Sequence, residues 1–183
     1  MVRSYKAQAI ILKRTNFSEA DRLITIFTKR HGKLKLIGKG IRKLTSRKKG
    51  HLELFTHTKL QIAKTKSIDI ITEAETINSF SQLRKNLNRV RIAYLLAELI
   101  DQLTAEGQEH TQVYDLLLHN LTILNSQSAP KNFILNFEKQ LLQFLGFGLP
   151  VSPSGEPSKH DRASIESHIY SIIEKPLNSK KLK

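Results

Sequence analysis

The spacing of apolar residues changes once along this chain, near residue 80, and that switch limits the fold more than any other feature. Before it, the pattern is that of strands. Residues 5–14 are rich in β-formers and end at the polar turn Thr15-Asn16-Phe17-Ser18; residues 23–28 (LITIFT) follow and close at His31-Gly32. Residues 33–37 alternate, with Lys33 and Lys35 on one face and Leu34 and Leu36 on the other. A period of two marks a strand with one wet side, and here the wet side carries ammonium groups. Gly38-Lys39-Gly40 ends that strand, and residues 41–50 (IRKLTSRKKG) form a loop or short helix that is basic and holds no acid. Two more strands are expected around 52–63 and 68–75. Five strands with a basic connector between the third and fourth fit a small closed barrel. The OB-fold is the commonest such barrel that grips nucleic acid, and an SH3-like barrel has similar patterning.

After the switch the period is helical. Within 83–103, Leu87, Val90, Tyr94, Leu95, Glu98, Leu99, Gln102 and Leu103 trace a mostly apolar stripe, and Gly107 ends it. A second helix over 111–125 buries Val113, Leu116, Leu117, Leu121 and Leu124. A third, over 131–145, buries Ile134, Phe137, Leu141, Leu142 and Phe144 and stops at Gly146, a usual helix-ending residue. Residues 151–160 read as an exposed Pro/Ser loop. A last helix, 162–174, carries Ile165, Ile169, Ile172 and Ile173 and is broken by Pro176. The expected class is α+β: a five-stranded OB-fold barrel over 1–78, then an all-helical domain over 79–183.

Charge is distributed unevenly over these halves. The net charge is +14. Residues 1–50 hold fifteen Lys and Arg against two acids, Glu19 and Asp21, a surplus of thirteen, so the rest of the chain is close to neutral. Cations that neutralise phosphates release condensed counterions, so one-sided clustering points to a polyanion. Solubility alone does not require it. The chain has no Cys, which excludes disulfides and thiolate chemistry and fits a reducing, cytoplasmic compartment. No apolar run nears the roughly 20 residues of a membrane span, and Ala9-Ile10-Ile11-Leu12 is too short for a signal-peptide core.

Several segments together resemble the bacterial recombination mediator family RecO. The likeness is concentrated in residues 19–40 (EADRLITIFTKRHGKLKLIGKG) and 50–55 (GHLELF). The family pattern there is acidic-Ala-Asp-Arg, a hydrophobic strand, a Gly turn, a Lys/Arg strand, then Lys-Gly-Ala-Arg, with Ile41 standing here in place of Ala. Leu145-Gly146-Phe147-Gly148 is similar to the Leu-Gly-Tyr that ends the family's central helices, and Pro176-Leu177-Asn178-Ser179-Lys180-Lys181 to the family terminus. Many members carry a four-Cys zinc module after the Leu-Gly-Tyr. This chain has the short loop 151–160 there, so no zinc and no other cofactor is expected. The resemblance implies an OB-fold followed by a helical domain, acting without catalysis in recombinational repair at the nucleoid. It implies binding of single- and double-stranded DNA and annealing of complementary strands. It also implies contact with RecR and with the acidic tail of single-stranded-DNA-binding protein, and indirect service to the RecA recombinase.

The residues that would hold DNA are Lys13, Arg14, Arg22, Lys33, Lys35, Lys39, Arg42, Lys43, Arg47, Lys48 and Lys49, with Gly38 and Gly40 letting phosphate approach the backbone. Arg22 has a structural alternative, an ion pair with Asp21 or Glu19. Phe17, in a polar turn, is the stacking candidate; Tyr5 is a second, while Phe27 and Phe55 sit in hydrophobic strands and read as core. Gly38-Lys39-Gly40 lacks the Lys-Ser/Thr ending and following helix of a phosphate loop. The seven His are scattered, though His51 and His57 could meet across a bend, and carboxylates are too sparse for a metal nuclease. On the helices, Arg89, Arg91, Lys131 and Lys139 could receive an acidic partner tail. Two other classes compete: an RNA-binding or ribosome-associated module, since a basic OB-fold suits RNA equally, and a scaffold whose cations meet an acidic protein.

Overall fold

The computed structural model describes residues 3–150, 162–173, 177 and 179. The expected loop 151–160 and the break at Pro176 lie outside them. Five strands form: β1 (Ser4–Asn16), β2 (Arg22–Thr28), β3 (Gly32–Gly38), β4 (His57–Ala63) and β5 (Ile70–Asn78). They close into a barrel in the order β1-β2-β3-β5-β4. Every neighbouring pair is antiparallel except β3 with β5. That ring is an OB-fold, which settles the choice against an SH3-like barrel. The fourth strand starts at His57 rather than near 52, because residues Lys49–Leu52 wind into a short 3-10 turn.

The core follows from alternation. Ala7, Ala9 and Ile11 of β1, Ile24 and Ile26 of β2, Leu36 of β3, Leu60 and Ile62 of β4, and Ile71 of β5 pack inside the barrel. Ile41 and Leu52, from the β3–β4 connector, join the same cluster and plug one barrel end. At Leu12 an extra residue interrupts the β1–β2 register, between Ile11↔Ile26 and Lys13↔Thr25. Such a bulge bends a strand. Here it lets β1 leave β4 after Ile10 and continue along β2 alone.

The chain divides into two compact units, and the division is not the contiguous one that patterning suggests. One unit is Met1–Ser81 with Ala105–Tyr114; the other is Gln82–Thr104 with Asp115–Lys183. Segment Ala105–Tyr114 therefore returns to the barrel. The reason lies in β3, which pairs with β5 only at Ile37↔Ile70. Its remaining backbone needs partners. Glu106 forms a parallel bridge with Lys33, and the Gly107 N–H donates to the Lys33 carbonyl at 2.9 Å. Further along, the Thr111 hydroxyl donates to the Lys29 carbonyl at 3.2 Å, and the Tyr114 hydroxyl meets His57 Nε2 at 2.9 Å. Gly32 is required by this arrangement: its φ is +60°, and a Cβ there would stand 1.7 Å from the Gln108 carbonyl oxygen.

In the helical unit, α1 (Ser81–Arg84), which starts at the unit boundary, is followed by α2 (Leu87–Leu103), α3 (Thr111–Ser126), which begins in the barrel unit, α4 (Phe133–Phe144) and α5 (Arg162–Ile173). The Asn86 side chain accepts from the Arg89 N–H at 3.1 Å and so caps α2. The α2 stripe is rotated from the expected one. Ala93, Leu95, Leu96, Ala97, Leu99, Ile100 and Leu103 are buried, whereas Leu87 and Tyr94 are exposed. Small Ala residues permit close packing that a count of large side chains overlooks. All five expected α3 core residues are buried, but on α4 Phe133 is buried and Phe144 exposed. Gly146, at φ +80°, ends α4, and the Phe147 N–H reaches back to the Leu142 carbonyl. Among the described residues no helix is long and apolar enough to cross a membrane.

Two outcomes test this architecture. Gly32→Ala combines a left-handed backbone cost of about 1–2 kcal/mol with a backbone clash, so the melting temperature should fall by more than about 4 °C in thermal unfolding. His57 is buried against Tyr114, and burial pushes its pKa below the ordinary value. The unfolded chain therefore takes up the proton first. Stability should be full above about pH 6.5 and decline as pH falls toward the lower native value. His57→Gln should flatten that decline in pH-dependent denaturant titrations.

Candidate nucleic-acid interface

Antiparallel pairing puts the β1–β2 loop and the β3–β4 connector at the same barrel end. Hydrogen bonds then fasten them together. The Gly40 N–H donates to Asp21 Oδ1 at 2.8 Å, the Arg42 N–H to the Ala20 carbonyl at 3.0 Å, and the Arg42 guanidinium to the Ser18 carbonyl at 2.8 Å. The Lys48 ammonium donates to the Ile71 carbonyl at 3.0 Å and ties the far half of the connector to β5. Partial burial lowers the Lys48 pKa, opposed by nearby Asp21.

The eleven predicted cations separate into two groups on this frame. Lys13, Lys39, Lys43, Arg47 and Lys49 are exposed and make no ion pair among the described residues. Phe17 is also exposed, on the β1–β2 loop to which Arg42 is bonded. The others are engaged. Arg14 pairs with Glu53 at 2.6 Å and donates to the Leu52 carbonyl. Arg42 and Lys48 hold backbone carbonyls. Arg22 is half-buried, with Nε unpartnered, and Asp21 is occupied by Gly40 rather than by Arg22.

Lys33 corrects the expectation of a wet cationic face. Lys33 is buried, whereas Lys35 is exposed and ion-paired with Glu106. The alternation does distinguish the inside of β3 from its outside. It carries no sign that Ala105–Tyr114 returns to the outside, because that cover lies some seventy residues further on. Gly38 and Gly40 are corrected too. Gly38 is buried against Ile41 and Ile24 side chains, and the Gly40 N–H is spent on Asp21. Neither offers a free approach to phosphate. Phe27 and Phe55 are core, as expected. His51 and His57 do not meet: His51 bonds Thr76 at 2.9 Å while His57 bonds Tyr114.

On the helical unit the four predicted cations do not gather. Arg89 bonds the Asn125 carbonyl at 3.3 Å, Lys131 precedes α4, and Lys139 is half-exposed on it. Arg91 lines a groove of about 500 Å³, with Ile92, Leu95, Ile134, Arg162 and Glu166 among its walls. Arg162 was missed because it follows a polar, Pro- and Ser-rich stretch of sequence and belongs to no motif.

Two family descriptions match the chain: Recombination protein O N terminal over residues 1–80 and Recombination protein O C terminal over 84–168. The chain belongs to the RecO family. A DNA repair protein RecO of Roseiflexus sp. is 40% identical over 79% of this chain and 51% of its own length. The corresponding figures are 32%, 78% and 56% for Pelotomaculum thermopropionicum and 34%, 81% and 51% for Trichodesmium erythraeum. The chain thus spans about half the length of the curated relatives it matches.

The two groups of cations should separate experimentally. Lys39→Ala and Lys43→Ala should each lower the slope of log affinity for single-stranded DNA against log salt by about 0.7. Lys48→Met should instead lower the melting temperature and leave the slope unchanged.

Proposed function

We propose that this RecO-family chain acts in DNA repair and recombination by holding DNA through its backbone, without catalysis. The observation that carries the reading is the set Lys39, Lys43, Arg47 and Lys49. These cations are exposed, make no ion pair among the described residues, and sit on a connector pinned to one barrel end beside Phe17. Most of the binding energy would come from counterion release, with the aromatic ring adding about 1–3 kcal/mol if a base stacks on it. Neutralising phosphates on two strands lowers their mutual repulsion, so complementary strands anneal without a nucleotide. Single- and double-stranded DNA are both substrates, since a backbone grip reads no base.

The same reading assigns the protein partners. RecR and single-stranded-DNA-binding protein are engaged, RecA loading is served indirectly, and the work takes place in the cytoplasm. The groove lined by Arg91 and Arg162 with Ile92, Leu95 and Ile134 suits an acidic tail that ends in apolar residues, because it joins two guanidinium groups, against the one carboxylate of Glu166, to apolar side chains.

Annealing of complementary oligonucleotides by pure protein, without nucleotide, tests the DNA reading. The parent should accelerate annealing, and Lys39→Glu with Lys43→Glu should abolish most of the acceleration while leaving the far-ultraviolet circular dichroism unchanged. Annealing at the parent's rate would remove the connector from the site. Preferential capture of structured RNA in a competition would move the protein to the RNA-binding class.

A further inference from the structure

A second collection of cations lies at the other end of the barrel. On β1 and β4 the side chains alternate. Ala7, Ala9, Leu60 and Ile62 pack into the core, so Lys6, Gln8, Lys59 and Gln61 face out. Gln8 stands opposite Lys59 and Lys6 opposite Gln61. Lys6 and Lys59 are thus diagonal neighbours on one face, a relation that spaces residues about 7–8 Å apart. The β2–β3 turn comes alongside, because the Lys29 N–H donates to the Gln8 carbonyl at 3.3 Å. Lys6, Gln8, Lys29, Arg30, His31 and Lys59, with Ala7, line a groove of about 440 Å³ that has no carboxylate in its wall. Lys6, Arg30 and Lys59 make no ion pair among the described residues.

The groove has a direction. Next to it a hollow of about 540 Å³ shares Arg30 and His31 and adds Arg3, Tyr5, Lys64 and Asp69. There the half-buried Tyr5 ring is met edge-on by His31 at 5.1 Å, with the Lys64 ammonium 5.6 Å from its centre. The Asp69 carboxylate accepts a hydrogen bond from the Tyr5 hydroxyl and fixes the ring, and a fixed ring flanked by cations is a combination that receives single-stranded nucleic acid. Across Lys59 the character reverses: Glu75 stands opposite Lys59 and Glu73 opposite Gln61 on β5. Those carboxylates repel a polyanion and keep it on the β1 side. From Lys6 to Arg14 is roughly 25 Å of extended strand at about 3.3 Å per residue. Screening extends only about 10 Å at 0.1 M salt, so the two basic regions act independently.

We propose that this face is a second lane for a single nucleic-acid strand, so that one barrel carries two strands at once, one at the connector end and one along Lys6, Lys59 and the β2–β3 turn. The inference rests on the nucleic-acid-holding function proposed above. It adds the physical step that annealing needs, which is two strands brought together on one molecule rather than one strand shielded at a time.

The experiment counts oligonucleotides. A labelled single strand of about 8 nucleotides, within the span one OB barrel covers, is titrated into the full chain at about 0.1 M salt. The parent should bind two. Lys6→Glu with Lys59→Glu should bind one, as should Lys39→Glu with Lys43→Glu, and the two pairs combined should bind none. Both pairs are exposed, and unchanged melting curves confirm folding. The neutral pair Lys6→Gln with Lys59→Gln should lower the salt slope at the affected site by about 1.4, which guards against an artefact of placing carboxylates near Glu73 and Glu75. A parent that binds one oligonucleotide, lost with the connector pair, would overturn the second lane and leave the DNA-holding reading standing. A parent that binds two, unaffected by the Lys6 and Lys59 changes, would overturn the assignment to this face. A parent that binds none would overturn the underlying reading itself.

Discussion

Everything assigned to the connector depends on a few hydrogen bonds between residues 18–21 and 40–42. Without them the stretch after β3 would be a charged, mobile loop, and each cation would lose conformational freedom on meeting a phosphate. Asp21 is the pivotal group, since its carboxylate takes the Gly40 N–H and lies near Lys48. It is one of only two acids in the first fifty residues. An acid in so basic a region looks like a loss of binding charge. Its position shows a different use: it organises cations that would otherwise repel one another.

The same economy governs the division of labour among the bases. Arg14, Arg42 and Lys48 hold the connector by bonding carbonyls or Glu53. Lys39, Lys43, Arg47 and Lys49 are left toward solvent. The planar fork of Arg14 and Arg42 can reach several acceptors, while the ammonium groups of Lys39, Lys43 and Lys49 are mobile point charges suited to a phosphate backbone whose position shifts. Backbone recognition tolerates sequence.

Much of this was legible in the residues. The switch in apolar period near 80 placed the barrel and the helices, and the α3 core was read correctly from Val113 to Leu124. Lys33 was assigned to a wet face because alternation reports only which side of a strand a residue is on. What covers that side came from residues 105–114, and nothing local announced it. Gly32 held the clue in retrospect, since a turn glycine is expected between strands and its close approach to Gln108 is invisible in sequence. Lys6 and Lys59 escaped notice for a related reason. Lys6 stands apart from Lys13 and Arg14 on β1, Lys59 is the one Lys or Arg of β4, and pairing across fifty residues brings them onto one face. The α2 stripe shifted because Ala93 and Ala97 count little in a search for large apolar side chains yet allow helices to approach.

The narrow seam between β3 and β5 has a further consequence. Because they pair only at Ile37 and Ile70, the ring is nearly open there, and a stretch borrowed from later in the chain completes the ladder on β3. The barrel is therefore not a detachable module ending at residue 81. Cut there, it would lose the stretch 105–114 and present a bare strand margin ready to zip onto a second copy.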